Sequence, residues 1–409
     1  MRYSQSEIQQ YVIEEDVKFI RLAFVDVYGQ QKNISILPGE LSRAFEHGVG
    51  IDASAIAGFG GDIKSDLFLH PDTSTLAVLP WRPDHGRVVR MFCEITYPDG
   101  TPFEADTRSI LKRAIADSEA KGLSFAFGSE MEFYLFQRDE QGNLTKIPYD
   151  NAGYMDVSPE DKGENIRREI CLTLERMGIM PESSHHEEGP GQNEIHFRYS
   201  DPLSAADSAV TFRFVVNTIA AMNGLGADFS PKPLAGYPGN GMHINISAQQ
   251  SGRQDALPLV LAGLMKRIRE TTLFFNPVEA SYRRFGYNKA PKYISWSKEN
   301  RSHLLRVPAA SGSFRRVELR SPDPTCNPYL AYALVIWAGL DALENGYPLE
   351  PALDLNLLTL SNDEARNLKM LPQSLQEACE AAASSEFLAR RLPVSLLDSY
   401  IRLGKNKGK

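Results

Sequence analysis

The sequence predicts an α+β protein built from a small β-rich N-terminal domain, residues 1–102, and a larger mixed domain, residues 103–409. Three observations carry this. A chain of 409 residues exceeds one typical domain of about 150 residues. Strand-like apolar runs dominate the first hundred residues, whereas long helical stretches alternate with short strands afterwards. Between them, Tyr97-Pro98-Asp99-Gly100-Thr101-Pro102 is a dense turn signal.

In chain order, Lys18–Val25, Leu76–Leu79 and Val88–Cys93 read as strands, punctuated by turns at Tyr28-Gly29 and Leu37-Pro38-Gly39. Asp106-Thr107 opens a helix expected over 106–121, because an aspartate there can cap the first free N–H groups. Strands follow at 125–136, 193–199, 241–247 and 314–320, with helices at 161–178, 202–225, 255–272 and 328–345. No repeat or low-complexity tract interrupts them.

Composition excludes several functions. Hydrophobic residues make up 42% and charged residues 23%, too apolar for a disordered chain. The formal charge of −8 and the lack of a basic cluster argue against nucleic acid or an anionic membrane as partner. The longest apolar run, Leu330 to Leu340, is about half of what a bilayer span needs, and the N-terminus is polar and amphipathic. Cys93, Cys171, Cys326 and Cys379 are scattered without C-x-x-C spacing, so a cytoplasmic protein with reduced thiols is expected.

The chemistry is written in the strands. Side chains two apart share a strand face, so Glu130 and Glu132 lie side by side while Met131, Phe133 and Leu135 face the other way. A solvent-facing strand explains this pair equally well when it is taken alone. The pattern recurs, however: Glu194, His196 and Arg198 share a face, as do His243, Asn245 and Ser247, and Arg316, Glu318 and Arg320. Glu187 stands before a Gly-Pro-Gly turn leading into the second of these strands. Five glutamates (Glu130, Glu132, Glu187, Glu194, Glu318) and His243 form a hard-oxygen donor set suited to Mg²⁺ or Mn²⁺, too many for one ion and about right for two. Arg283, Arg284, Arg301, Arg306, Arg315, Arg316 and Arg320 crowd into fewer than forty residues. Arginine forks match carboxylate and phosphate oxygens, and together with divalent metals they are the working parts of phosphoryl transfer. No P-loop is present.

These residues resemble the bacterial type of the glutamine synthetase family, from about residue 17 to 400. The resemblance rests on Asp52-Ala53-Ser54-Ala55-Ile56, Ser65-Asp66, Pro71-Asp72, Pro80-Trp81, Glu130-Met131-Glu132-Phe133, His185-His186-Glu187, Gly191-Gln192-Asn193-Glu194, Gly241-Met242-His243, Asn300-Arg301-Ser302 and Asn327-Pro328-Tyr329-Leu330-Ala331. It implies a β-grasp N-terminal domain and a catalytic domain whose antiparallel sheet forms a metal funnel flanked by helices. It also implies ATP as substrate and two or three Mg²⁺ or Mn²⁺ ions. Glu132, Glu187 and Glu194 match one metal site; Glu130, His243 and Glu318 match a second. Arg284 and Arg320, with Gly239, match groups that bind glutamate, and Arg301 matches one that touches the transferring phosphoryl. Tyr199, Asn245, Ser247, Arg306 and Arg316 fall at nucleotide contacts. Asp52 matches the aspartate that takes a proton from ammonium, supplied in the family by the neighbouring subunit, so a hexameric ring or dodecamer with shared sites is implied.

Some positions depart from the family. Lys289, in Tyr287-Asn288-Lys289-Ala290-Pro291, stands where the flap carries a glutamate that helps hold ammonium. Pro238 replaces an asparagine before Gly239, Asn245 replaces a second histidine, and Leu358 replaces the tyrosine that some members adenylylate. The chain also stops before the family's usual C-terminal clasp, which favours single or differently stacked rings. The expected activity is ATP-dependent amide formation between the glutamate γ-carboxylate and ammonia or a small amine through γ-glutamyl phosphate. The alternatives are a specialised γ-glutamyl-amine ligase, a non-catalytic glutamate- or nucleotide-binding homologue and a two-metal phosphohydrolase.

Overall fold

The computed structural model describes residues 3–60, 65–82, 85–251, 255–310, 312 and 315–405. In the N-terminal part, α1 (Gln5–Glu14) precedes β1 (Val17–Val25) and β2 (Gln31–Ile36). Then come α2 (Leu41–His47), β3 (Val49–Asp52), β4 (Asp66–Pro71), β5 (Ala77–Val78) and β6 (Arg87–Thr96). The strands form one sheet in the order β2-β1-β6-β4-β3, with β5 on β6 and β1 parallel to β6. The run expected over 76–79 yields only the two-residue β5; the Leu79 N–H still donates to the Val88 carbonyl at 3.0 Å, and Pro80, which has no N–H, carries the ladder no further.

The larger part opens with α3 (Thr107–Glu119), capped by Asp106, whose carboxylate accepts from the Arg108 N–H at 3.1 Å. β7 (Leu123–Arg138), β8 (Leu144–Pro148), α4 (Glu164–Arg176), β9 (Pro181–His186), β10 (Gln192–Phe197), α5 (Pro202–Met222) and β11 (Leu225–Asp228) follow. Next are β12 (Met242–Gln250), α6 (Leu257–Phe275), α7 (Glu279–Tyr282), β13 (Trp296–Lys298), β14 (Leu305–Val307), β15 (Val317–Leu319) and α8 (Pro328–Asn345). The short helices α9 (Asn362–Ala365), α10 (Leu375–Ala383), α11 (Glu386–Arg391) and α12 (Val394–Ile401) close the chain. The second sheet runs β13-β14-β15-β12-β7-β10-β9, with β8 and β11 also on β7. It is antiparallel except for the edge pair β13–β14.

Long β7 is the spine. Its odd-numbered residues face the helices: Phe127 stacks on Tyr332 of α8 with centroids 4.5 Å apart, and Phe133 meets Phe212 of α5 edge-on. Met131, Phe133 and Leu135 are buried, as the alternation predicts. With one face sealed by helices, the even face carrying Glu130 and Glu132 is left for the cleft. Helix α8 is buried along nearly its whole length, so its apolar run serves the core. Among the described residues no helix is long and apolar enough to cross a membrane.

The two parts are pinned at named points. Gly29 has φ +80° and sits so close to Asn327 that a Cβ would come within 2.8 Å of its Cα; the Asn327 amide donates to the Val27 carbonyl at 3.1 Å. Buried Arg108 of α3 joins Asp72 of the first part, at 2.8 Å, to Asp207 of α5, at 3.1 Å. The four cysteines are free thiols.

Candidate active site

Strand pairing assembles the predicted ligands. In the β10–β7 register Glu194 lies opposite Glu132 and His196 opposite Glu130; in β12–β7, His243 lies opposite Glu130; in β12–β15, Asn245 lies opposite Glu318. Four strands therefore bring their polar faces to one cleft of about 580 Å³. Glu130, Glu132, Glu187, Glu194 and His243 line it together with Gly239, Arg284, Arg301, Arg306, Arg316, Arg320 and Lys289. Glu318 lies just behind, 3.4 Å from His243 Nδ1, and is fully buried.

Confining so many acids perturbs them. Burial, reinforced by Glu194 and Glu187, raises the Glu132 carboxyl well above the usual range. Burial with Glu130 and Glu187 does the same to Glu194. Burial opposes ionisation of Glu130 too, but the hydrogen bond from His243 and the positive field of His196 and His243 hold it low. Glu318 is also held low despite burial, by Arg320 and His243. The cluster thus keeps some members protonated because like charges this close cannot all ionise without cations. Carboxylate oxygens converging with one imidazole are the donor chemistry that divalent ions require, so these residues fit the metal ions expected from the sequence.

The arginines are anchored individually. Arg284 is buried and donates to the Ser321 carbonyl at 2.8 Å and the Arg320 carbonyl at 3.2 Å. Gly239 and Gly241 leave room for it: a Cβ on either would lie 3.0 Å or less from its side chain. Arg320 pairs with Glu318, and Arg306 donates to the same carboxylate at 2.7 Å. Arg316 Nε donates to Asn245 Oδ1 at 3.0 Å, and Asn245 in turn donates to Glu130 at 2.7 Å. Arg301 is exposed at the cleft wall. Lys289 pairs with Glu188, and its Nζ is 5.6 Å from the Tyr154 ring centroid.

Some expected residues lie apart. Asp52 is exposed, accepts from the Ser54 N–H and hydroxyl, and is outside the cleft lining of the described chain. The Tyr199 ring covers Gly128, two residues before Glu130 on the same face, and its hydroxyl is buried without a hydrogen-bond partner. Ser247 is half-buried one pair further along β12 from Asn245. Arg198 does not share the Glu194 face as expected. The β9–β10 register shifts between His196 and Phe197, the strand ends there, and Arg198 is exposed.

Sequence reasoning missed β9 altogether. Pro-Glu-Ser-Ser-His-His lacks the β-branched and aromatic residues that mark strands, yet pairing with β10 makes it one. It brings His185 into the cleft and buries His186, whose ring bridges Asp150 (2.9 Å) and the Glu187 carbonyl (2.6 Å). Gln192 was also missed as a contact: its amide donates to Glu132 at 3.2 Å.

A β-grasp domain followed by a funnel of carboxylates and arginines defines a class, the ATP-dependent ligases that activate a carboxylate substrate. Comparison with known proteins agrees. Residues 16–98 match the family described as "Glutamine synthetase, beta-Grasp domain", and residues 104–407 match "Glutamine synthetase, catalytic domain". A glutamine synthetase of Methanosarcina mazei is 44% identical, covering 97% of this chain and 92% of its own. One from Clostridium saccharobutylicum is 41% identical, covering 98% and 94%. A solved structure described as "GmaS/ADP complex-Conformation 1" superposes with a TM-score of 0.88 at 26% identity, covering 99% of this chain and 95% of its own. The chain belongs to the glutamine synthetase family. It is a glutamine synthetase-like ATP-dependent ligase, and the family uses ATP and divalent metal ions.

Proposed function

We propose that this chain is a cytoplasmic ligase that couples the glutamate γ-carboxylate to ammonia or a small amine through γ-glutamyl phosphate, with residues 1–102 and 103–409 as its two domains. The observation that carries the reading is the single cleft in which five buried or half-buried glutamates and His243 face five arginines. Glu132, Glu187 and Glu194 would hold one Mg²⁺ or Mn²⁺ ion, and Glu130, His243 and Glu318 a second. Divalent ions there supply charge neutralisation for the transferred phosphoryl group.

The chain's own groups do the rest. Arg284 and Arg320 orient glutamate by its α-carboxylate, beside the backbone of Gly239. Glu318 now occupies Arg320, and a cation on Glu318 would free the guanidinium for substrate. Arg306 and Arg316 hold nucleotide phosphates, with Asn245 and Ser247 on the sheet beneath and the Tyr199 ring at the base. An ADP complex among the similar solved structures supports a nucleotide in this cleft. Arg301 reaches the γ-phosphoryl as its charge develops. Asp52 of a neighbouring copy removes the proton that ammonium or a protonated amine must lose before it attacks. Its position outside the cleft of its own chain suits that arrangement, in a hexameric ring or dodecamer.

Phosphate release from ATP and Mg²⁺, measured with glutamate and either ammonium or a panel of amines, tests the reading. Glutamate-dependent release with a γ-glutamyl amide product is expected; release independent of glutamate would refute it. The acceptor flap is tested by Lys289→Glu, which sets a carboxylate against Glu188 and reverses the local field. Preference should move toward ammonium, and an unchanged acceptor profile would remove the flap from the account.

A further inference from the structure

Two imidazoles in the cleft have no part in the six-ligand set. His185 lies on β9 directly opposite Glu194 in the β9–β10 register, and His196 follows Glu194 two residues later on β10. Both aim Nε2 at that one carboxylate. His185 Nε2 is 3.4 Å from Glu194 Oε2, and His196 Nε2 is 3.0 Å from Glu194 Oε1. His185 Nε2 also lies 3.1 Å from Glu187 Oε1. The rings stand edge to face, 5.8 Å between centroids, so the two nitrogens approach from different directions.

His185 has a hydrogen-bond partner in Glu187, but hydrogen bonding does not account for His196. His196 Nε2 is buried and has no hydrogen-bond partner, although a carboxylate oxygen is 3.0 Å away. One donor atom from each of His185, Glu194 and His196 falls within 4.8 Å of the others. In a tetrahedral shell with metal–nitrogen and metal–oxygen bonds of about 2.0–2.1 Å, neighbouring ligand atoms are about 3.3 Å apart. Each ring nitrogen lies at about that distance from one Glu194 oxygen, His185 3.4 Å from Oε2 and His196 3.0 Å from Oε1.

We propose that His185, His196 and Glu194 form an imidazole-bearing cation position that takes a divalent first-row transition ion of the Zn²⁺ or Co²⁺ kind in preference to Mg²⁺. Imidazole nitrogen suits such ions, whereas Mg²⁺ demands oxygen donors in an octahedron and keeps its waters. Glu194 links this position to the carboxylate site beside it, and His185 approaches Glu187 as well. The inference deepens the proposed function by giving part of the metal centre a different chemistry from the all-oxygen part, and it rests on that reading only through the shared Glu194.

The experiment reads binding, not turnover, so its failure and that of the ligase reading are separable. The full-length protein is stripped of metal, then titrated with Co²⁺ by visible absorption and with Zn²⁺ and Mg²⁺ by equilibrium dialysis. The wild type should bind Co²⁺ with a nitrogen-ligand spectrum and prefer Zn²⁺ over Mg²⁺. H185A/H196A should lose that spectrum and weaken Zn²⁺ binding by roughly tenfold or more, with Mg²⁺ binding almost unchanged. H196D, which exchanges a nitrogen donor for oxygen, should strengthen Mg²⁺ binding at the expense of Zn²⁺, and its thermal melting curve checks the fold. A double variant that binds Co²⁺ and Zn²⁺ like the wild type, or that loses Zn²⁺ and Mg²⁺ alike, would overturn the proposal.

Discussion

Arg108→Met removes the cation that joins the two parts of the molecule. Arg108 is 2% exposed, and its guanidinium serves Asp207 through two nitrogens, both at 3.1 Å, and Asp72 through one of them at 2.8 Å. Tyr329 donates to Asp207 at 2.6 Å, so the carboxylate cannot swing out without breaking a second buried contact. Methionine fills the volume but leaves Asp72 without its arginine partner and Asp207 with only the field of buried Arg90, whose guanidinium donates to Thr211 at 2.8 Å. Breaking a buried pair by deleting one partner costs about 3–5 kcal/mol. Unfolding entropy of about 2.1 cal/mol/K per residue makes 409 residues worth about 0.9 kcal/mol per degree, so Tm should fall by about 4–6 °C.

The pH dependence adds a second signature. Burial alone would raise the Asp72 carboxyl, but Arg108 and the Ser74 hydrogen bonds hold it below the ordinary value of 3.8. A depressed folded pKa contributes stability above the unfolded value that is lost as pH falls through the folded one. The variant should lack this contribution, so its Tm deficit should shrink on acidification below about pH 4. Adding Asp72→Asn to Arg108→Met should return part of the loss, because one stranded charge is gone. Calorimetry at neutral and acid pH measures both effects. A Tm within a degree of wild type, or a deficit that grows in acid, would refute the reasoning.

Other outcomes follow from the same structure. Glu132 and Glu194 have raised folded pKa values, so the metal-free protein gains stability from them in acid and loses it as pH rises through those values. Divalent cations relieve the crowding, and the Tm difference between Mg²⁺-loaded and chelator-treated protein should therefore widen from acid toward neutral pH. A difference that is flat with pH would contradict this electrostatic picture. Gly263→Ala on α6 would place a Cβ 2.0 Å from the Ala338 carbonyl of α8, forcing the two buried helices apart. Overpacking of this kind costs about 1–3 kcal/mol, readable as a lowered denaturation midpoint.

Strand alternation alone made Glu130, Glu132, Glu194 and His243 legible, because a period of two fixes which side chains share a face whatever the fold around them. Long helices such as α5 and α8 were equally legible, expected over 202–225 and 328–345 and found at Pro202–Met222 and Pro328–Asn345. The sequence also carried enough motif spacing to identify the family. It did not determine which strands would be neighbours. Only tertiary structure put β9 against β10 and so turned a polar, strand-poor segment into the wall that carries His185. Only packing placed Glu188 across from Lys289, and Arg320 on Glu318. The reason is physical: periodicity is a local property of the backbone, whereas charge pairing and protonation depend on which distant segments share a low-dielectric space.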